Sequence, residues 1–242
     1  MDFPAHRRQE HGLTPLNENL RQIVYGGSDG IVTTFAVVAG FAGAGAEGAA
    51  QLGALAVILF GLANLFADAT SMGLGEFLSS RSQQQVYLGT KAEEEVRLED
   101  DPASERTEVI AMLAARDIRG EDAVRFVAEL EKHPGLMADF MMRYEFGMAD
   151  PEDQNPAVNG LITFTSFLAF GVLPLVPYFL LPPVQGTFLV SLWATGGALS
   201  LLGLLRWRAT GEPIWRAVGE TLLVGGVCAA VAYAVGLVVV GA

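Results

Sequence analysis

The stretch AAQLGALAVILFGLANLFADATSMGLGEFL, Ala49 to Leu78, decides the class of this chain. It exceeds the roughly 20 apolar residues that cross a hydrocarbon core about 30 Å thick, so the segment tilts or projects into water. Inside it, Asn64, Asp68, Met72 and Glu76 recur every four residues. That spacing sets them on one slowly drifting stripe of a helix, each about 6 Å above the last. Ionisable groups inside a span cost about 2.5–3.5 kcal/mol each on insertion scales and usually line a pathway or cavity. An amide, two carboxylates and a thioether in a row would line a cation path of about 18 Å.

Four more segments qualify as spans: Ile31 to Ala46 (extended backwards by Ile23 to Gly30), Asn159 to Leu181, Val184 to Leu205 and Ala217 to Val240. The polar stretch Ser79 to Ala157 contains none. The expected fold is therefore all-α, an integral membrane protein with five transmembrane helices plus a small helical domain. Residues 1–78 hold the N-terminal segment and the first two spans, 79–157 the helical domain, and 158–242 the last three spans. Composition agrees: 51% of the chain is hydrophobic and 17% charged, against roughly 25% charged in a soluble domain. The net charge of −12 argues against a nucleic-acid partner and suits cationic ligands. The single cysteine, Cys228, excludes an internal disulfide and a cysteine-based zinc site. The first twenty residues lack the apolar run of a cleaved signal peptide.

Lysine and arginine set the orientation of such a chain. Arg7, Arg8 and Arg21 precede the first span, nine basic residues lie in 79–157, and Arg206, Arg208 and Arg216 lie between the fourth and fifth spans. Those are all fifteen; GAGAEG, LPPVQG and the terminal GA carry none. The N-terminus and 79–157 are thus expected in the cytoplasm and the C-terminus on the opposite side. The absence of a targeting signal points to a bacterial plasma membrane.

The polar domain reads as helical. Helix continues from the second span through Gln83 to Glu99, and Asp101-Pro102 reads as an N-cap followed by proline in the first turn. Val109, Met112 and Leu113 give one apolar stripe, stopped at Gly120. Val124, Val127 and Leu130 give another, ended by His133-Pro134-Gly135, and Leu136 to Gly147 forms a last short helix. This domain carries 18 acidic residues against 9 basic ones. Glu105 and Glu108 share a helix face, and Met141 or Met142 falls beside Glu145. Carboxylates alone suit magnesium or calcium, whereas an added thioether favours softer first-row metals. Met141 and Phe140 on their own read sooner as core, and Glu93-Glu94-Glu95 reads equally as a solvated face. Asp29 and Glu76, near span ends, also read as interfacial caps, an alternative that is weaker for the deeper Asp68. Glu220 reads as structural, paired with Arg216 one turn earlier.

No enzyme constellation is present. The three histidines lie outside the spans, no phosphate-binding loop of the GxxxxGK[ST] form occurs, and there is no Ser-His dyad or Glu-x-x-His motif. The chain is read as a non-enzyme.

Three separated motifs, Ser28-Asp29-Gly30-Ile31-Val32-Thr33-Thr34 onward, Phe66-Ala67-Asp68-Ala69-Thr70-Ser71-Met72-Gly73-Leu74-Gly75-Glu76, and Asp139-Phe140-Met141-Met142-Arg143-Tyr144-Glu145, resemble the vacuolar iron transporter family. The likeness runs from about Glu18 to the end. It implies a homodimer of five-helix protomers in membrane lipid, with an ion path between the copies. It also implies a cytoplasmic domain that binds ferrous iron, and export of Fe²⁺, often with Mn²⁺, in exchange for protons. By motif, Asp29 and Met72 match the pathway aspartate and methionine. Glu105 and Glu108 match a glutamate pair, and Met141, Met142 and Glu145 match a Met-Met-x-x-Glu motif. Glu94 falls in place on the preceding helix. Its partner position is Arg97, leaving Glu95 or Glu99 as substitutes. Glu18 matches an acidic residue at the cytoplasmic entrance by spacing alone. Where some members carry a glutamate eight residues before the pathway methionine, this chain has Asn64, with Asp68 one turn later.

The expected ligand set is Glu94, Glu105, Glu108, Met141, Met142 and Glu145, for Fe²⁺ or another first-row divalent metal. The expected path is Asp29, Asp68, Met72 and Glu76. A passive divalent-cation channel and a non-transporting metal sensor or scaffold are the competing readings.

Overall fold

The computed structural model describes residues 10, 14–43, 50–151, 154–181 and 186–241. Arg7, Arg8, His6, His11 and most of the loops GAGAEG and LPPVQG lie outside the described residues, as do the expected first-span end at Ala46 and second-span start at Ala49. The short helix α1 (Pro15–Glu18) precedes α2 (Leu20–Gly43) and α3 (Ala50–Asp100). Then come α4 (Pro102–Ala114), α5 (Glu121–Leu130) and α6 (Pro134–Tyr144). The chain closes with α7 (Pro156–Gly171), a 3₁₀ turn (Leu173–Leu175), α8 (Val176–Leu180), α9 (Gly186–Thr210) and α10 (Ile214–Gly241). Among the described residues five helical segments are long and apolar enough to cross a membrane. The described residues divide into two compact units, one drawn from 1–77 and 157–242, the other from Leu78–Pro156.

The helix α3 runs unbroken for 51 residues, about 76 Å at 1.5 Å per residue. That is more than twice a hydrocarbon core, so the charged half beyond Leu78 lies outside it. The sequence shows why it continues. No proline interrupts it, and Gln83 to Glu99 is rich in strong helix formers. It stops where Pro102 forbids helical geometry at the residue before it. The Asp101 side chain then accepts a hydrogen bond from the Ser104 amide at 3.1 Å, capping α4 as expected.

In the membrane unit α2 is central, packed on α9, α10 and α7. Its approach to α7 requires glycine. A Cβ on Gly26 would stand 2.6 Å from the Thr163 carbonyl oxygen, and one on Gly30 would collide with that of Phe167. Gly73 of α3 meets Gly160 of α7 in the same way, the close backbone contact that small residues permit between membrane helices. The outward faces carry large apolar side chains such as Leu223, Val227, Val231 and Trp193, which suits lipid as solvent.

The third span departs from the single helix expected over Asn159 to Leu181. It breaks after Gly171 into the 3₁₀ turn and α8. Pro174 and Pro177 cannot donate backbone hydrogen bonds and clash with the preceding turn. The Pro174 carbonyl accepts instead from the buried Ser191 hydroxyl of α9 at 2.6 Å.

The second unit has its own core of Val109 and Leu113 from α4, Ala123, Val127 and Leu130 from α5, and Met137 and Met141 from α6. A large apolar side chain fully buried in this way contributes about 1.5–3 kcal/mol. Two expectations shift here. The α4 helix ends at Ala114 rather than Gly120, because Asp117 enters the left-handed region (φ 65°), as does Gly120 (φ 63°). On α5 the buried stripe is Ala123, Val127 and Leu130, whereas Val124 is exposed. The step of four then three residues keeps the buried set on one face.

Candidate functional site

In the membrane unit the α3 ridge Val57, Gly61, Leu65, Ala69 and Gly73 is buried. The stripe Asn64, Asp68, Met72 and Glu76 runs beside it, half-buried throughout. Asn64 Nδ2 donates to Asp68 Oδ2 at 2.7 Å, so the amide holds the carboxylate one turn on. Asp29 on α2 is half-buried and close enough to Asp68 for their charges to interact. Its carbonyl accepts from the Thr33 hydroxyl at 2.8 Å. Met72 packs against Leu65, Ala69 and Phe167. Glu76 Oε1 accepts from Gln22 Nε2 at 3.4 Å.

Gln22 is a residue that sequence reasoning missed. It is 8% exposed, and its own Oε1 has no hydrogen-bond partner in the protein. The signal was available, since Gln22 precedes Asp29 by seven residues, two turns along one face. Glu18 lies exposed at the end of α1. Glu220 accepts from Arg206 Nη2 at 2.6 Å and Arg216 Nε at 3.0 Å, so the expected Arg216 pair gains a second arginine.

An open groove of about 640 Å³ lies between α2, α3 and α10. Small residues line much of it (Ala36, Gly40, Ala63, Ala67), and Asn64 contributes its polar edge.

In the second unit the run Glu93-Glu94-Glu95 splits. Glu93 and Glu95 are exposed, whereas Glu94 is 2% exposed. Ser80, Tyr87 and Glu94 repeat every seven residues along the inner face of α3. Glu94 meets Glu105 of α4, itself 5% exposed. Burial, then a hydrogen bond shared with Glu105, then the charges of Glu105 and Glu145 push the Glu94 carboxyl up to about 7, with Arg97 opposing. Glu94 Oε1 and Glu105 Oε2 are buried with no hydrogen-bond partner. Glu145 caps the C-terminus of α6 and is exposed. Partial desolvation, then the charges of Glu108 and Glu105, raise its carboxyl, with Arg97 again opposing.

The two methionines part company. Both are fully buried, but Met141 belongs to the apolar core and Met142 is not among that cluster. A hydrogen bond from Lys91 Nζ to Asp139 joins α3 to α6 one turn before Glu94 and Met142, and raises the Lys91 ammonium above its ordinary value. Among the described residues no three carboxylate, histidine or cysteine groups are grouped tightly enough to hold a metal ion. What stands assembled is a buried carboxylate pair, with Glu108 and Glu145 in electrostatic reach. Such a pair holds either a shared proton or a divalent cation, because two adjacent buried carboxylates cannot both stay charged and uncompensated.

The sequence matches the model of the VIT family over residues 20–237. It is 32% identical over 232 residues to a vacuolar iron transporter of Centaurea cyanus, covering 96% of this chain and 91% of that protein. It is 31% identical to vacuolar iron transporter 1 of Arabidopsis thaliana, covering 97% and 90%. A vacuolar iron transporter of Plasmodium falciparum is 33% identical, covering 84% and 75%.

Proposed function

The chain belongs to the VIT family, a family of membrane transporters and not enzymes, and from that premise we propose that it is a secondary transporter moving Fe²⁺, and Mn²⁺ with it, out of the cytosol in exchange for protons. The observation that carries the reading is that two half-buried carboxylates, Asp29 on α2 and Asp68 on α3, lie close enough for their charges to interact. Two carboxylates together in a span need a cation or protons between them. Binding a metal requires the deprotonated form, so an arriving ion releases protons from the same groups. The path continues through Met72 to Glu76, and Gln22 orients Glu76 at one end of it.

The pair Glu94 and Glu105, with Glu108, Glu145 and the Met142 thioether, captures ions for that path. The absence of a tight three-ligand group among the described residues fits a site completed when the ion draws Glu145 inward. Met141 serves chiefly as core. A second copy seats on the small-residue groove between α2, α3 and α10, making the working unit a homodimer. On the fifteen-to-zero distribution of basic residues the N-terminus and the second unit face the cytosol and the C-terminus the other side, in a bacterial plasma membrane.

Liposomes loaded with a pH-sensitive dye test this. Parent protein should take up Fe²⁺ or Mn²⁺ and move protons the opposite way, and Asp29→Asn and Asp68→Asn should each depress both fluxes. Metal uptake indifferent to an imposed pH gradient would establish the passive channel instead. Metal binding without flux would establish a sensor.

A further inference from the structure

Arg97 lies on α3 one turn beyond Glu94, exposed, in the last turn of the helix. Its positive charge acts on two carboxylates from different elements, Glu94 on α3 and Glu145 at the end of α6. Glu105 and Glu108 of α4 complete the set that these two feel. At the centre are two side chains more than nine-tenths buried, Glu94 and Glu105, each with one oxygen that has no partner in the protein. Two carboxylates of the cluster, Glu94 and Glu145, thus feel the positive charge of Arg97, and the buried pair Glu94 and Glu105 keeps unfilled acceptor capacity beside it.

We propose that Arg97 sets the affinity of this cluster, its guanidinium serving as an internal counter-cation that competes with divalent ions for Glu94 and Glu145. A guanidinium does not deprotonate in a protein, so its opposition to an arriving ion persists at every working pH. The repulsion on a doubly charged ion is twice that on a single charge at the same distance. The cluster is therefore kept from trapping its cargo: ions bind, but weakly enough to leave again. This inference rests on the reading of the cluster as a divalent-ion site.

The test is equilibrium dialysis of the full chain in detergent with Mn²⁺ as the probe, at low ionic strength. Removing the charge with Arg97→Gln should tighten Mn²⁺ binding about tenfold or more. Arg97→Lys, which keeps the charge, should stay within about threefold of the parent. Arg97→Glu, which adds a carboxylate to the same face, should bind at least one more ion per chain than the parent. Salt should shrink the Arg97→Gln gain. An Arg97 that merely neutralises the helix C-terminus would lower the melting temperature on substitution and leave the affinity unchanged. Parent-like binding by Arg97→Gln, or an equal gain in Arg97→Lys, would overturn the proposal. The Glu94→Gln/Glu105→Gln double variant separates the two ideas. If it loses Mn²⁺ while Arg97→Gln binds like the parent, the site stands and the role of Arg97 falls. If it binds like the parent, the site falls and the role of Arg97 with it.

Discussion

Met72 sits with its side chain against Leu65, Ala69 and Phe167, so its thioether can be removed without leaving a hole. Leucine conserves volume and apolarity, a change costing under about 1.5 kcal/mol. Met72→Leu should therefore insert and melt like the parent while metal flux in liposomes falls; full flux would remove Met72 from the path. Glu94 gives a prediction in pH. In the folded chain its carboxyl protonates at about 7, against 4.5 ordinarily. Between those values the folded state holds more proton than the unfolded state, so metal-free protein loses stability as pH rises through the window. The loss is on the order of 3 kcal/mol. Melting temperatures of the metal-free chain should fall between pH 4.5 and 7 and level off above. Glu94→Gln should flatten that slope, and saturating Mn²⁺ should restore stability above that window in the parent alone. An unchanged slope in the variant would mean that Glu94 does not carry the proton.

Between elements, the decisive contacts are those of backbone on backbone. The α7 carbonyls of Thr163 and Phe167 occupy the space a Cβ would need on Gly26 and Gly30. Gly30→Ala must push α2 away from α7 or distort both, and overpacking of this kind costs about 1–3 kcal/mol. Gly219 on α10, outside the groove, has nothing within 4 Å of an added Cβ. Gly219→Ala should therefore match the parent in yield and melting temperature while Gly30→Ala loses both. Equal behaviour of the two would mean that α2 and α7 are not so closely seated. The broken third span follows the same logic: the proline kink is tolerable because Ser191 supplies the donor that the Pro174 carbonyl needs.

For the whole molecule, the groove between α2, α3 and α10 is where the α3 stripe reaches the outside of the single chain at Asn64, beside Gly40. If a second copy seats there, filling the groove should separate the copies without unfolding either. Gly40→Leu is expected to leave the helical content intact and to shift the mass measured in detergent from two chains to one. A variant that stays dimeric would move the contact to another face.

The five spans and the four-residue spacing of Asn64, Asp68, Met72 and Glu76 along one helix are legible in the amino-acid sequence alone. They depend on run length and on the 3.6-residue period, which are properties of neighbours in the chain. The cap at Asp101 is legible for the same reason. Which side chains meet is not. That Glu94 is buried between two exposed glutamates, that Gln22 reaches Glu76, that Asn64 serves Asp68 and that Met141 turns to the core all depend on the rotation of each helix about its axis. That rotation is set where distant helices touch, at Gly26 and Gly30 of α2 against α7 and at Val109, Val127 and Met137 within the second unit. A turn of about 100° exchanges a buried residue for its neighbour, so only the packing of helices far apart in sequence decides which of two adjacent glutamates is buried and which meets water.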